Sequence, residues 1–277
     1  MNFVIRSVVH PTDFSDLSGK AFAHALRIAL SARSTLHLLH VAELDGTRDD
    51  SAFPHVRRLL AQWDLIEEDA PASTLGDKLG IRVVNTTLDR QDIVRGITSF
   101  LERHPADLIV LATHGRDGLE QWLKGSVAEA VFRRATIPTL FIAPGTRGFV
   151  SQISGDIRLQ RLLVPIDHSP APERAIEAAS SLARHLTGKD AKMHLIHVGT
   201  TAPMLSAVSA DDPGRPPILL RSGNVVQSII DAAIEFEIDM IGMPTAGHHG
   251  VLDALRGSTT ERVLRQAPCP LLAISAP

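Results

Sequence analysis

Glycine and serine at fixed spacing are the residues most able to do chemistry in this chain. An apolar run, Leu108 to Leu111, leads into Ala112, His114, Gly115 and Arg116. Nine residues separate Gly115 from Gly125, and Gly125-Ser126-Val127 opens a helical pattern. Strand, glycine-bearing loop and helix start form an arrangement that receives phosphate, because the first helical N–H groups have no intrahelical partner. Glycine lets main-chain N–H groups approach an anion closely, and Ser126 adds a hydroxyl. The commonplace use of Ser126 is as a helix cap. Ser126 and Glu129 have the spacing of a capping box, in which two side chains satisfy those same N–H groups. The uses overlap, since a capping hydroxyl can turn to a ligand.

Almost the same text returns near the C-terminus. Asp107 maps to Asp239, Gly115 to Gly247, Gly125 to Gly257 and Ser126 to Ser258, all at an offset of 132. Ser258 and Glu261 repeat the capping box. Upstream, Pro11-Thr12-Asp13 returns as Pro165-Ile166-Asp167, and LHLLHV, ending at Val41, returns as MHLIHV, ending at Val198. From Val41 to Val198 the offset is 157, so the second copy is 25 residues shorter between there and the glycine stretch. The chain is two copies of one unit, expected at 1–146 and 160–277 with a polar linker at 147–159. Its 277 residues suit two domains, each long enough for a core.

Positioning these residues takes a particular kind of sheet. Short β-branched runs stopped by turns alternate with amphipathic stretches, which calls for a parallel sheet covered by helices on both faces. Right-handed crossovers make each copy a doubly wound α/β unit of Rossmann-like type. The first strand is expected over Val4–Val9, stopping at the turn His10-Pro11-Thr12-Asp13, with Ser15 as N-cap of the next helix. In the second copy, Ser169-Pro170 reads as N-cap and first helical residue. Its segment Thr200–Pro216 holds three prolines, which reads as a helix reduced to a loop. Ligands of such sheets sit outside the carboxyl ends of the strands, so Asp13 and Gly115 should face one crevice. Asp13 also reads more plainly as a turn residue near a helix N-terminus.

The G-x9-G-S spacing, the VAE-type helix text behind it and the closing APCP-LL resemble the universal stress protein family. The chain as a whole is similar to a tandem, two-domain member. The resemblance implies two five-stranded parallel sheets with strand order 3-2-1-4-5, whose fifth strands meet, so that the chain forms an intrachain pseudo-dimer. It implies that Pro11, Thr12, Asp13 and Val41 contact the adenosine part of ATP or another adenine nucleotide, as do Asp167 and Val198 in the second copy. The triphosphate end falls to Leu111, Ala112, His114, Gly115, Arg116, Gly125, Ser126 and Val127, and to Gly247, Gly257 and Ser258. Nucleotide-binding relatives carry G-x2-G-x9-G-S/T, and here Ala112 and Pro244 stand at the first glycine. Alanine keeps its N–H and adds a methyl, whereas proline removes the donor and fixes φ. The first copy is therefore the expected nucleotide site.

Composition narrows the remaining classes. A formal net charge of -3 with no Lys/Arg-rich run argues against nucleic acid. No apolar run approaches a membrane span, and the opening MNFVIRSVVHPTDFS reads as strand and turn with no apolar leader. A single cysteine, Cys269, fits a reducing compartment, so a cytoplasmic protein is expected. His168, His248 and His249 could converge with Asp167 on zinc, yet adjacent loop histidines usually face water and no metal-binding spacing supports them. No Walker A lysine and no nucleophile elbow are present, and Cys269 has no assigned base. The expectation is a stress-response regulatory protein that binds an adenine nucleotide with little or no turnover and acts on unidentified protein partners. Three alternatives stand beside it: a scaffold without nucleotide, a binder of a metal ion or apolar metabolite, and a slow ATPase. Whether whole chains pair as homodimers is left open.

Overall fold

The computed structural model describes residues 3–42, 53–89, 92–113, 127–201, 203, 216–245 and 259–275. They divide into two compact units. The N-terminal unit comprises Val4–Ile137 and Val150–Ile157; the C-terminal unit comprises Met1–Phe3, Pro138–Phe149 and Arg158–Pro277.

The N-terminal unit runs β1 (Ser7–Pro11), α1 (Asp16–Ala32), β2 (Thr35–Ala42), α2 (Val56–Gln62), α3 (Thr74–Asp77), β3 (Arg82–Asp89), α4 (Ile93–Arg103), β4 (Leu108–Ala112) and α5 (Val127–Ala135). The strands are parallel in the order β3-β2-β1-β4. Val8, Val9 and Leu108 to Val110 are fully buried in the central pair, the pattern of a sheet covered on both faces. Helix α1 lays Ala21, Ala25, Leu26 and Ala29 inward, and its small side chains let the helix approach the sheet. Each fully buried leucine or isoleucine here contributes about 1.5–3 kcal/mol of transfer free energy. Ser15 caps α1 as expected, its Oγ accepting from Ser18 N at 3.2 Å. Asp92 does the same for α4 through Arg95 N.

The expected stop of the first strand is corrected by two residues. The strand runs through Pro11, and Thr12 N still donates to Leu39 O at 2.8 Å. Proline is tolerated because the β4 ladder reaches only Val8 and Val9, so no donor is wanted there.

The C-terminal unit contains β5 (Thr139–Ile142), β6 (Arg161–Pro165), α6 (Glu173–Thr187), β7 (Lys192–Val198), β8 (Ile218–Arg221), α7 (Val225–Glu235), β9 (Met240–Thr245), α8 (Thr259–Gln266) and β10 (Leu271–Ser275). Strand order is β8-β7-β6-β9-β10, parallel throughout, with β5 antiparallel on the outer side of β10. The last strands of the two copies therefore do pair. Leu140 faces Leu272, its own equivalent at the offset of 132, so a local twofold passes between them. The pairing gives β10 a neighbour on the side away from β9.

A second expectation is corrected at α6, which starts at Glu173 with Pro172 at its N-cap and no side-chain cap. Ser169-Pro170 cannot open the helix because Ala171 precedes a second proline, which disfavours helical backbone at that residue. The segment Thr200–Pro216, expected as a reduced helix, lies mostly outside the described residues.

The stretch between the copies is well anchored. Val150 bridges Ile157 in antiparallel fashion, and Ser151 N donates to Asp156 O at 2.9 Å. Within the N-terminal unit, Trp63 Nε1 donates to Gln152 O at 3.1 Å, and Gly155, at φ +70°, sits under the Trp63 ring. Val150 N donates to His24 Nε2 at 3.3 Å. Phe149 and Leu159, in the C-terminal unit, are buried.

Candidate functional site

The carboxyl ends of β1 and β4 lie side by side, with Val8 opposite Leu108 and Val9 opposite Ile109. Beyond them come Thr12 and Asp13 on one side, and Ala112 and Thr113 on the other. Of the expected ligand contacts, Pro11, Leu111 and Ala112 end these strands, Val41 lies near the end of β2, and Val127 opens α5. His114, Gly115, Arg116, Gly125 and Ser126 lie outside the described residues, as do Gly247, Gly257 and Ser258 and the histidines His248 and His249.

Ala112 belongs to β4 and has extended backbone. Its position in the pattern therefore makes no demand for positive φ, and the methyl brings only local bulk. Pro244 likewise lies within β9, where Ile274 of β10 is its register partner.

The turn after β1 is held by a network that sequence reading missed. His10 is fully buried, and its Nδ1–H donates to Val110 O at 2.9 Å. That bond leaves Nε2 as an acceptor, which takes the Ser18 hydroxyl at 3.4 Å. Ser18 Oγ in turn receives Thr12 Oγ1 at 2.8 Å, and Thr12 Oγ1 accepts Phe14 N at 3.1 Å. Burial pushes the His10 imidazole down to about 4 from its usual 6.5, against the opposing pull of its Val110 bond and of Asp13. A serine beside a histidine invites comparison with a nucleophile and its base. Here both are buried, Ser18 is committed on two sides, and the imidazole is a weak base, so the pair is structural.

Asp13 takes Ser15 N at 3.0 Å and Ser15 Oγ at 2.7 Å on Oδ1, which is the turn role weighed from sequence. Phe14 follows at φ +63°, a left-handed conformation uncommon for a bulky residue. Its ring stacks on His40 at 4.2 Å and meets Phe53 edge-on at 5.5 Å. His40 Nδ1 donates to Thr12 O at 2.9 Å. The C-terminal unit repeats this clamp, with His197 Nδ1 donating to Ile166 O at 3.1 Å. The recurring histidine in LHLLHV and MHLIHV was the signal available in the sequence.

The second crevice differs in other respects. Val164 stands in the place of His10 and Gly242 in that of Val110, so an apolar contact replaces the histidine network. A Cβ on Gly242 would come 3.2 Å from Val164 Cγ2. Asp167 is exposed, with Oδ1 accepting from His168 N at 2.7 Å, and Val198 ends β7. No cluster of three or more His, Cys, Asp or Glu side chains suited to a metal occurs among the described residues. Cys269 is buried, and burial raises its thiol to about 12, so it is no nucleophile. No described helix is long and apolar enough to cross a membrane.

The model of the universal stress protein family matches residues 5–143 and 206–275, most of the chain. The chain belongs to the universal stress protein family. A universal stress protein of Methanocaldococcus jannaschii is 30% identical over 140 residues, which are 50% of this chain and 81% of that protein. Two solved structures share the fold along nearly the whole length. A universal stress protein of Archaeoglobus fulgidus has a TM-score of 0.64 at 20% identity, over 98% of both chains. A protein of unknown function from Pseudomonas aeruginosa has a TM-score of 0.67 at 18% identity, over 99% of this chain and 94% of that one. The family match of the second copy begins at residue 206, yet β6, α6 and β7 ahead of it repeat β1, α1 and β2 in order and pairing. This universal stress protein therefore carries the unit twice.

Proposed function

We propose that this universal stress protein binds an adenine nucleotide in the N-terminal unit, without appreciable turnover, and acts through partners that read the bound state. The observation that carries the reading is the juxtaposition of the Thr12-Asp13 turn with the end of β4, the strand that precedes the Gly115 to Ser126 stretch in the sequence. An open α/β sheet takes ligands at that place, and a glycine-bearing loop ahead of a helix takes their phosphates. Adenosine lies against Pro11, Thr12, Asp13 and Val41, and the phosphates against Ala112, His114, Gly115, Arg116, Gly125, Ser126 and Val127. With no general base in the described crevice, the nucleotide is held and not consumed.

The C-terminal unit has the weaker crevice. Pro244 removes a donor at a place where Ala112 keeps one, and the His10 network is absent. It serves as partner scaffold in an intrachain pseudo-dimer. Gentle purification followed by denaturation and mass analysis of the released small molecules tests the reading. Near-stoichiometric adenine nucleotide supports it. A metal ion or an apolar metabolite in its place contradicts it.

A further inference from the structure

Three contacts form a closed circuit around the turn after β1. Phe14 N donates to Thr12 Oγ1 at 3.1 Å, the Phe14 ring stacks on His40 at 4.2 Å, and His40 Nδ1 donates to Thr12 O at 2.9 Å. The main-chain ladder between β1 and β2 ends in the bond from Thr12 N to Leu39 O. The His40 side chain therefore carries the connection one carbonyl further. Phe53, buried ahead of α2, meets the Phe14 ring edge-on and backs the stack. A bulky side chain at φ +63° is strained, and such strain persists only where the surrounding contacts determine it.

The C-terminal unit keeps one of the three contacts. His197 Nδ1 donates to Ile166 O at 3.1 Å, but Ile166 has no hydroxyl to take the N–H two residues on. That N–H, of His168, goes to Asp167 Oδ1 at 2.7 Å. His168 stands where Phe14 does, exposed and edge-on to His197 at 6.1 Å, with no stack. The two aspartates differ as a result. Thr12 takes the N–H of Phe14, which leaves Asp13 to turn to Ser15, whereas Asp167 is occupied by His168.

We propose that His40, supported by Phe14, is a positioning residue of the nucleotide site and the reason the N-terminal crevice is the selective one. By holding Thr12 O it fixes the Thr12-Asp13 turn, and as the neighbour of Val41 in β2 it sets both sides of that place. The proposal rests on the reading that adenosine lies against Pro11, Thr12, Asp13 and Val41. A turn fixed before the ligand arrives loses less freedom on binding, and affinity rises accordingly.

The test is calorimetric titration of the intact protein with ATP, ADP and AMP, applied to the parent, H40N, H40F and F14L. Asparagine places its amide nitrogen where Nδ1 of histidine stands, so H40N keeps the donor and loses the ring. H40F keeps a ring and loses the donor. H40F should bind the preferred nucleotide about ten-fold more weakly, the effect of one hydrogen bond at the upper end of its usual range. H40N should recover most of that loss, which separates a held carbonyl from mere bulk. F14L should weaken binding several-fold, because the imidazole is then unsupported. Equal loss in H40N and H40F overturns the proposal, as does parent-like affinity in both H40F and F14L. In either case saturable binding by the parent leaves the nucleotide reading standing. No saturable heat in the parent removes that reading, and the positioning role with it.

Discussion

Asp107 and Asp239 perform the same task in the two copies. Asp107 Oδ2 accepts from Arg6 N at 2.7 Å and Ser7 N at 3.0 Å; Asp239 Oδ2 accepts from Gln160 N at 2.8 Å and Arg161 N at 2.9 Å. Each carboxylate ties the start of its fourth strand to the start of its first. Asp239 goes further, since its Oδ1 also meets Arg147 at 2.9 Å and Arg158 at 3.6 Å, one from each end of the stretch between the copies. Removing the carboxylate strands two main-chain donors, so D107A and D239A should each cost about 1–3 kcal/mol. Both arginines are about half exposed, and R147A should cost less than about 1 kcal/mol. Urea unfolding of the three variants checks the order. An R147A loss equal to that of D239A would contradict it.

Acid should weaken the N-terminal unit before its carboxylates titrate. His10 and His24 are both fully buried and held at about 4, so the unfolded chain takes up their protons first as pH falls below 6.5. Their contribution is fully present above 6.5, is lost between 6.5 and about 4, and changes no further below that. The full loss is about 3 kcal/mol for each histidine. Stability measured against pH should have a shallower slope in this window for H24Q than for the parent, and an unchanged slope counts against neutral burial of His24.

Gly155 should resist substitution for two separate reasons. It has φ +70°, and a Cβ there would come 2.6 Å from Trp63 Cδ2. G155A must shift the indole, at a cost of about 1–3 kcal/mol. The Trp63 emission of the folded protein should change with it. Wild-type emission and stability together would mean that the ring does not seat on this turn.

Cys269 should be silent toward thiol reagents in the native protein and react fully on unfolding, because its thiol is buried and stays protonated. Rapid modification of the native protein would contradict this placement.

How much of this was legible in the sequence depended on what set each feature. The duplication followed from motif offsets and the parallel sheet from hydrophobic runs, since buried parallel strands leave a continuous apolar signature, whereas the strand order was implied only by the family resemblance. Ser15 announced its helix because capping is local. Pro11 and Ser169-Pro170 misled, because a strand end and a helix start are decided by which main-chain donors the neighbours need. The His10–Ser18–Thr12 network was not legible, since it joins β1, the following turn, α1 and β4, and only the packed sheet brings them together. His40 and His197 were visible as a repeated residue type, but their clamp on Thr12 O and Ile166 O required the register.

Ala112 gives a graded check on the crevice. It lies in extended strand and carries no backbone strain, so its methyl can act only through bulk beside the ligand. A112G should bind nucleotide more tightly than the parent, measured by titration calorimetry. Equal or weaker binding would remove Ala112 from the phosphate contacts.

The most direct measurement is calorimetric titration of the intact protein with ATP, ADP and AMP at up to millimolar concentration, repeated with G125L and G257L. Saturable heat in the parent, abolished by G125L and largely kept by G257L, is the expected outcome. Absence of saturable heat with all three nucleotides, or equal loss in both variants, would contradict a nucleotide site in the N-terminal unit.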